Sequence, residues 1–139
     1  MSLLTPMLRS SPLTDWFSDA QRVQGMLDFE AALAQAQAAC GMVPTAAVGP
    51  IVAACRHEAI DFTALGEAAV GAGNLAIPLV KQLTAQVKAR DPDAARYVHW
   101  GATSQDAIDT GLVLQLRGAL DAAERLLERL LAALAGQAD

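Results

Sequence analysis

The sequence has few basic residues, and no segment of it is rich in them. Ten Lys and Arg stand against fifteen Asp and Glu in 139 residues, which gives a formal net charge of −5. A protein that binds nucleic acid needs a basic face or stripe to neutralise the phosphates. The charge pattern therefore argues against a nucleic-acid partner.

Long apolar runs and a secretory leader are also lacking. Polar or charged residues interrupt each apolar run before it reaches the ~18 residues that a membrane-spanning helix needs. The first residues do not join a basic segment to an apolar one, as a signal peptide does. We therefore expect no membrane partner and a cytoplasmic location.

Only two cysteines and two histidines are present, and their spacing does not indicate a metal site. Cys40 and Cys55 have no C-x-x-C spacing and lie in alanine-rich sequence, which is typical of buried free thiols. The histidines, His57 and His99, are far apart, and neither thiol has a ligand-like spacing. The glycine-rich motifs that bind dinucleotides or phosphate are missing too. The sequence predicts no metal and no cofactor.

What the sequence has in abundance is apolar residues at helical spacing. Hydrophobic residues make up 53% of a chain long enough for about one domain, and no strand pattern occurs, so we predict an all-α fold. Helices are predicted from Thr14 or Ser18 to about Cys40, over 50–57, 61–70 and 78–90, and from Asp106 to about Ala135. Residues 1–13 are predicted to be an irregular arm, 42–49 a connector, and His57 a solvated helix-end residue.

The last predicted helix has two apolar rows, which is more than the short helices before it can cover. The first row is Leu112, Leu116, Ala119, Ala123, Leu126, Leu130 and Ala133; the second is Val113, Leu120, Leu127, Leu131 and Leu134. The first row is typical of a bundle seam. The second row predicts either self-association or a larger protein whose other bundle helices lie elsewhere.

The stretch at 97–110 concentrates the polar chemistry of the chain. Thr103 and Ser104 suit a helix N-cap, where a side-chain oxygen accepts a backbone N–H. The free N–H groups and the helix dipole at such a start favour an anion, and His99, Thr103, Ser104 and Gln105 are all groups that hold a carboxylate. His99 is also suited to proton transfer. A buried structural role for His99 remains the alternative.

A second break in the helical pattern lies at Gly71-Ala72-Gly73-Asn74. It is consistent with a simple turn between helices. It is also consistent with a ligand site in which Gly73 lets the backbone come close and Asn74 makes one specific hydrogen bond.

Three motifs resemble the fumarase/aspartase superfamily. They are His99-Trp100-Gly101-Ala102-Thr103-Ser104-Gln105-Asp106 with Asp109-Thr110, the segment Met26-Leu27-Asp28-Phe29-Glu30-Ala31-Ala32-Leu33-Ala34, and Ala72-Gly73-Asn74-Leu75-Ala76-Ile77-Pro78-Leu79-Val80. All three are similar to the branch of 3-carboxy-cis,cis-muconate cycloisomerases. The resemblance covers nearly the whole chain but only the N-terminal part of the family's length. The family's second histidine region and its Ser-Ser-x-Met-Pro loop do not occur.

The resemblance implies an architecture and a reaction. Residues 1–103 would form an N-terminal helical domain and 104–139 the start of a central helix bundle, which is shared in a homotetramer whose active sites each use three subunits. The reaction would be a cofactor-free cycloisomerisation in the protocatechuate branch of the β-ketoadipate pathway, giving 4-carboxymuconolactone from a tricarboxylate substrate. We expect these residues to be an N-terminal fragment that is inactive alone.

The resemblance also implies roles for individual residues. Thr103 and Ser104 would bind a substrate carboxylate, Asn74 would supply a polar contact, and His99 would line the pocket as a binding or proton-handling group. Asp106 and Asp109 are expected to brace the helix start. The alternatives are another lyase of the superfamily, of the adenylosuccinate type, or a cycloisomerase for a sulfonated muconate. A non-catalytic oligomerising helical module is the alternative of a different class.

Overall fold

A computed structural model describes residues 11–138, which form five α-helices joined by short turns. The helices are α1 (Asp19–Ala39), α2 (Thr45–Ala54), α3 (Phe62–Ala72), α4 (Ala76–Arg90) and α5 (Ser104–Ala138). Single 3-10 turns occupy Thr14–Phe17, His57–Ala59 and Ala94–Tyr97. No strand occurs within residues 11–138, and the all-α prediction is confirmed. Most of the predicted arm, residues 1–10, lies outside the described residues.

Start and stop signals in the sequence determine where α1 and α3 begin and end. The Ser18 side chain accepts a hydrogen bond from the Gln21 N–H at 3.3 Å, and Gly41, just past the end of α1, has φ +70°. Asp61 caps α3 by accepting the Ala64 N–H at 3.0 Å, and Gly73 ends it with φ +74°. Because glycine adopts positive φ without a steric penalty, it ends both helices cheaply.

The prediction for the second helix was wrong at both ends. The sequence suggested a helix over 50–57 because Pro50 suits a first helical turn, but α2 runs from Thr45 to Ala54 with Pro50 inside it. Pro44 provides the start instead, in an extended conformation with φ −63° and ψ 135°. His57 is therefore in the following 3-10 turn and not at a helix end. Its backbone N–H donates to Gln24 Oε1 at 2.9 Å, so it is tied to α1.

The core lies around α1, which packs against α2 on one side and α5 on the other. The largest fully buried side chains come from four helices: Val23, Leu27, Ile51, Leu65, Leu79, Leu83 and Val87. Burial of each such side chain stabilises a fold by ~1.5–3 kcal/mol. This core holds α1 rigidly, and α1 carries the polar groups that reach the site.

Helices α1 and α5 cross with their backbones in contact. A Cβ atom added to Gly25 would lie 2.9 Å from the Gly111 carbonyl oxygen, and one added to Gly111 would lie 3.0 Å from the Met26 backbone nitrogen. Neither position has room for a side chain. The crossing brings the middle of α1 close to the loop that precedes α5.

The far part of α5 has no cover from the described residues. This helix has 35 residues, which corresponds to roughly 52 Å at 1.5 Å per residue. Its near part is covered by α1 and by the turn Thr14–Phe17, where Gln115 Nε2 donates to the Trp16 carbonyl at 2.8 Å and the Trp16 ring lies against Gly118. From residue 120 onward the leucines are exposed, with Leu120 at 67% and Leu131 at 66%.

Candidate functional site

The loop between Tyr97 and α5 holds an unusual backbone conformation. His99 has φ +55° and is the one residue other than glycine with positive φ among residues 11–138. A side chain in this region costs of order 1 kcal/mol or more, so it persists only where surrounding contacts enforce it. Two contacts from α1 provide that enforcement.

The first contact joins His99 to a buried carboxylate. His99 Nδ1 lies 2.6 Å from Glu30 Oε1, and the side chains are 16% and 2% exposed. Burial raises the pKa of Glu30 above its ordinary value, and the hydrogen bond and charge of His99 oppose that rise. The second carboxylate oxygen, Oε2, is buried and has no hydrogen-bond partner among the described residues.

The second contact fixes the next residue of the loop. Gln37 Nε2 donates to the Trp100 carbonyl at 2.6 Å, and Gln37 is itself buried. Gln37 follows Glu30 by two helical turns, so both face the loop from the same side of α1. The Trp100 ring is tilted against that of Tyr97, with centroids 5.8 Å apart, and remains 48% exposed. Helix α1 thus holds one side of the loop, and Trp100 on that loop remains half exposed.

At the start of α5 the cap differs from the predicted one. Thr103 was expected to accept a backbone N–H through its side chain, but its N–H and Oγ1 both donate to Asp106 Oδ2, at 2.7 and 2.9 Å. These bonds, led by the one from the backbone, hold the pKa of Asp106 below its ordinary value. Ser104 is the first helical residue and not the cap. Gln105 Nε2 donates to Asp109 Oδ1 at 2.5 Å, so both aspartates contact neighbours at the helix start.

No hydrogen bond joins Asn74 to these residues among the contacts of the described chain. Its Oδ1 accepts the Ile77 N–H at 3.1 Å at the start of α4, which agrees with the turn interpretation of this segment. Asn74 also lines a cavity of about 310 Å³ together with Arg22, Met26, Leu75, Ile108, Leu112 and Gln115. His99, Thr103, Ser104 and Gln105 do not line this cavity. Those four lie at the start of α5, and Asn74 faces the next turn of the same helix, where Ile108 lines the shared cavity.

The group at the start of α5 is able to bind an anion and move a proton. In the first helical turn the Asp106 N–H donates to the Thr103 carbonyl at 3.1 Å, which leaves the N–H groups of Ser104 and Gln105 for an anion, and the positive end of the dipole adds to them. The imidazole is on the same loop, and its Nε2 has no hydrogen-bond partner among the described residues. No cluster of three or more His, Cys, Asp or Glu side chains placed to hold a metal occurs within 11–138, and none of the helices there is long and apolar enough to cross a membrane.

The sequence did not predict Glu30 and Gln37 as partners of this loop. Both occur at helical spacing on the inward side of α1, among Val23, Met26, Leu27 and Ala34. A carboxylate in an otherwise apolar stripe is the signal that would have identified Glu30, because a charged side chain is buried only when it has a partner.

Most of this chain is similar in sequence to known proteins. The 3-carboxy-cis,cis-muconate cycloisomerase of Pseudomonas aeruginosa is 61% identical over 130 residues, which cover 94% of this chain and 28% of the relative. That of Bradyrhizobium diazoefficiens is 58% identical over 127 residues, covering 91% and 28%. The crystal structure of 3-carboxy-cis,cis-muconate lactonizing enzyme from Pseudomonas putida superposes with a TM-score of 0.85 at 55% identity, covering 89% of this chain and 28% of that one.

The match to these relatives covers nearly all of this chain but only a small part of each relative. The chain spans about 28% of the length of the curated relatives. A family profile described as lyase matches residues 8–139, which includes all three motifs that resemble the fumarase/aspartase superfamily. This chain therefore belongs to the lyase family.

Proposed function

We propose that this chain is the N-terminal part of a cycloisomerase that converts 3-carboxy-cis,cis-muconate to 4-carboxymuconolactone. In this reaction a carboxylate of the substrate adds across a double bond, and protein groups handle the proton without a cofactor. The observation that carries the proposal is the placement of His99 beside the start of α5, within a chain that is 61% identical to a relative bearing that enzyme's name. The start of α5 at Ser104 supports a proposed division into an N-terminal domain of residues 1–103 and the start of a bundle domain at 104.

In this proposal the start of α5 binds one carboxylate of the substrate. The Ser104 hydroxyl and the free N–H groups of the first turn donate to it. Gln105 and Asn74 contribute further polar contacts from their separate positions. The one hydroxyl proton of Thr103 is already donated to Asp106, so Thr103 binds the substrate only after that bond is exchanged. His99 Nε2 then handles the proton, and once the ring is protonated it can donate to a second carboxylate.

The charges around this site support an active site that other chain segments complete. A tricarboxylate carries three negative charges, yet residues 98–110 contain two aspartates and no Lys or Arg. The cations that neutralise the substrate therefore come from outside this segment; Arg22, which lines the cavity with Asn74, is one of them, and we propose that other chain segments supply the rest. The exposed leucines of α5 supply a surface for a homotetramer that would bring them, and the free thiols of Cys40 and Cys55 suit a cytoplasmic location.

A chimera tests the proposal directly. Residues 8–139 replace the matched segment of the Pseudomonas aeruginosa relative, and turnover is followed as loss of the muconate absorbance. We expect the chimera to be active and the 139-residue chain alone to be inactive. Ser104→Ala in the chimera should weaken substrate binding by ~1.5–3 kcal/mol, the size of a charge-assisted hydrogen bond.

The control is Thr110→Ala, which removes the next hydroxyl along α5 and should leave the binding constant unchanged. A chimera that assembles but turns over only an adenylosuccinate-type substrate or a sulfonated muconate would replace the proposal with that alternative. An assembled chimera with no turnover of any of them would favour the non-catalytic oligomerising module. Turnover by the 139 residues alone would show that the site is complete without other segments.

A further inference from the structure

We propose that Glu30 is a positioning residue that keeps the proton of the neutral His99 imidazole on Nδ1 and so presents an unprotonated Nε2 to the ligand. The inference deepens the proposed function and rests on it for the identity of the ligand. Through Glu30, helix α1 would take part in the chemistry at the start of α5.

The contact fixes which ring nitrogen carries the proton once Glu30 is ionised. An ionised carboxylate is only an acceptor, so with 2.6 Å between Glu30 Oε1 and His99 Nδ1 the charge on Glu30 holds the hydrogen on Nδ1. Nε2 then holds a lone pair, which accepts a proton from a substrate. After the ring is protonated, the Nε2–H donates a proton. Glu30 Oε2 is one of the buried polar atoms that have no hydrogen-bond partner among the described residues. His99 Nε2 is not one of them.

The contact cannot adjust easily, because both of its sides are constrained. Glu30 is 2% exposed on a helix whose backbone is pressed against α5 at Gly25 and Gly111. His99 is held by its left-handed backbone and by the bond from Gln37 to the next carbonyl. The imidazole is therefore fixed in position as well as in tautomer, which is what a pre-organised site requires.

Stability alone does not account for a carboxylate at this position. A buried carboxylate loses its hydration, and apolar residues of similar volume often replace buried charged groups without loss of stability. Here Oε2 is buried without a hydrogen bond, and the paired histidine has a strained φ, so two unfavourable features meet at one contact. Local features that disfavour the fold and occur together are typical of functional positions.

Nitrogen NMR of the histidine-labelled 139-residue chain tests the tautomer without any substrate. The chain has two histidines, and His57 is the internal reference because its Nδ1 lies 3.1 Å from a neutral amide oxygen, Gln24 Oε1. In the neutral ring of His99 we expect a protonated Nδ1 and an unprotonated Nε2. Glu30→Gln keeps the shape but removes the charge, and should move the His99 ring toward the Nε2–H form while the His57 signals stay in place.

Kinetics of the chimera test whether this positioning matters for turnover. Glu30→Gln should lower kcat by about 10- to 100-fold, the range for groups that orient a functional histidine, with KM changed less than about twofold. Glu30→Asp keeps the carboxylate and should recover part of the loss. Asp28→Asn removes an exposed carboxylate from the same helix and should change neither constant.

Two results would overturn the inference: an Nε2–H tautomer of His99 in the unsubstituted chain, or a Glu30→Gln chimera with unchanged kcat. The tautomer is measured on the 139-residue chain without substrate. The NMR test therefore remains valid even if Glu30→Gln disturbs assembly of the chimera. An inactive unsubstituted chimera beside an Nδ1–H signature that Glu30→Gln abolishes would support the positioning role and contradict the proposed function instead.

Discussion

At the scale of single residues, the prediction of two buried thiols is confirmed for Cys55 and wrong for Cys40. Cys40 is exposed just after α1, whereas Cys55 is buried after α2, and burial with the nearby Glu30 and Asp28 charges raises its pKa from 9.0 to about 12. Because the thiolate is the reactive form, Cys55 is protected by both burial and protonation at neutral pH.

We expect one thiol of the folded chain to react quickly with Ellman's reagent at pH 8 and the other only on unfolding. Cys40→Ser should abolish the fast phase, and Cys55→Ser should leave it. The raised pKa of Cys55 also means that its contribution to stability is complete below pH 9.0 and is lost as the pH rises toward about 12. Two equally fast thiols would contradict the buried position of Cys55.

Sequence reasoning selected the loop residues of the candidate site and missed their buried partners on α1. His99, Thr103, Ser104 and Gln105 were selected because a polar cluster before a helix has a local signature. Glu30 is 69 positions away from His99. No local rule pairs two residues at that separation, since their contact depends on how α1 crosses α5. The sequence motif contained Glu30, but its spacing alone placed it on the apolar side of a helix.

At the scale of single elements, the crossing of α1 and α5 depends on the absence of two side chains. In Gly111→Ala the new Cβ would lie 3.0 Å from the Met26 backbone nitrogen and 3.1 Å from Met26 Cγ. Backbone cannot move aside cheaply, so we expect a loss of ~1–3 kcal/mol in the free energy of unfolding. This loss is measured by urea denaturation monitored by circular dichroism.

Gly66→Ala is the matched control for this substitution. Gly66 lies inside α3, and a Cβ added there meets no atom within 4 Å. Because alanine is the better helix former, this change should stabilise the chain by ~0.5–1 kcal/mol. Equal effects of the two substitutions would show that the helices do not touch at Gly111.

The start of α5 should depend on pH through Asp106. The Thr103 bonds lower the pKa of Asp106 in the folded state, so its contribution is present above the unfolded pKa, near 3.8, and is lost as the pH falls through the folded value. Asp106→Asn should therefore lower Tm at pH 7, and the difference from the unsubstituted chain should shrink in acid. Asp121→Asn, in the middle of α5, is the control. A difference independent of pH would exclude this role for the carboxylate.

Helix limits were predicted well where a side chain provides the signal. Ser18, Asp61 and Gly73 act locally, and the helices they bound begin or end within about two residues of the predicted positions. Pro50 misled the prediction because proline occurs both at helix starts and, at a cost, inside helices. The tertiary packing of Ile51 and Ala54, which are buried, outweighs that cost in α2.

At the scale of the whole molecule, the exposed leucines of α5 lead us to expect self-association. We expect sedimentation velocity to show association of the 139-residue chain that increases with concentration. Replacing Leu120, Leu127 and Leu131 together by Gln should give a monomer, because these side chains are 59–67% exposed in the single chain and have apolar surface to bury. Glu124→Gln with Glu128→Gln should leave association intact. A monomer at every concentration would contradict this role for α5.

The overall architecture was predictable because it depends on local periodicity, whereas the assembly is not visible in one chain. The two apolar rows of α5 were recognised as requiring partners, and the described residues cover only the near part of that helix. The number and arrangement of the partners depend on surfaces that other chain segments supply. The tetramer therefore remains a proposal.

The point where Gly25 meets Gly111 divides α5 into a short and a long arm. About 7 residues, or roughly 10 Å, lie between Ser104 and this point, and about 27 residues, or roughly 40 Å, lie beyond it. A stiff rod turning about such a fulcrum moves its short arm a quarter as far as its long arm, in the opposite direction. A sway of about 4 Å at the far tip would thus displace Ser104 by about 1 Å, a misplacement large enough to slow a reaction. In the proposed bundle, holding the distant tip would therefore also hold the start of α5, where we propose that the substrate carboxylate binds.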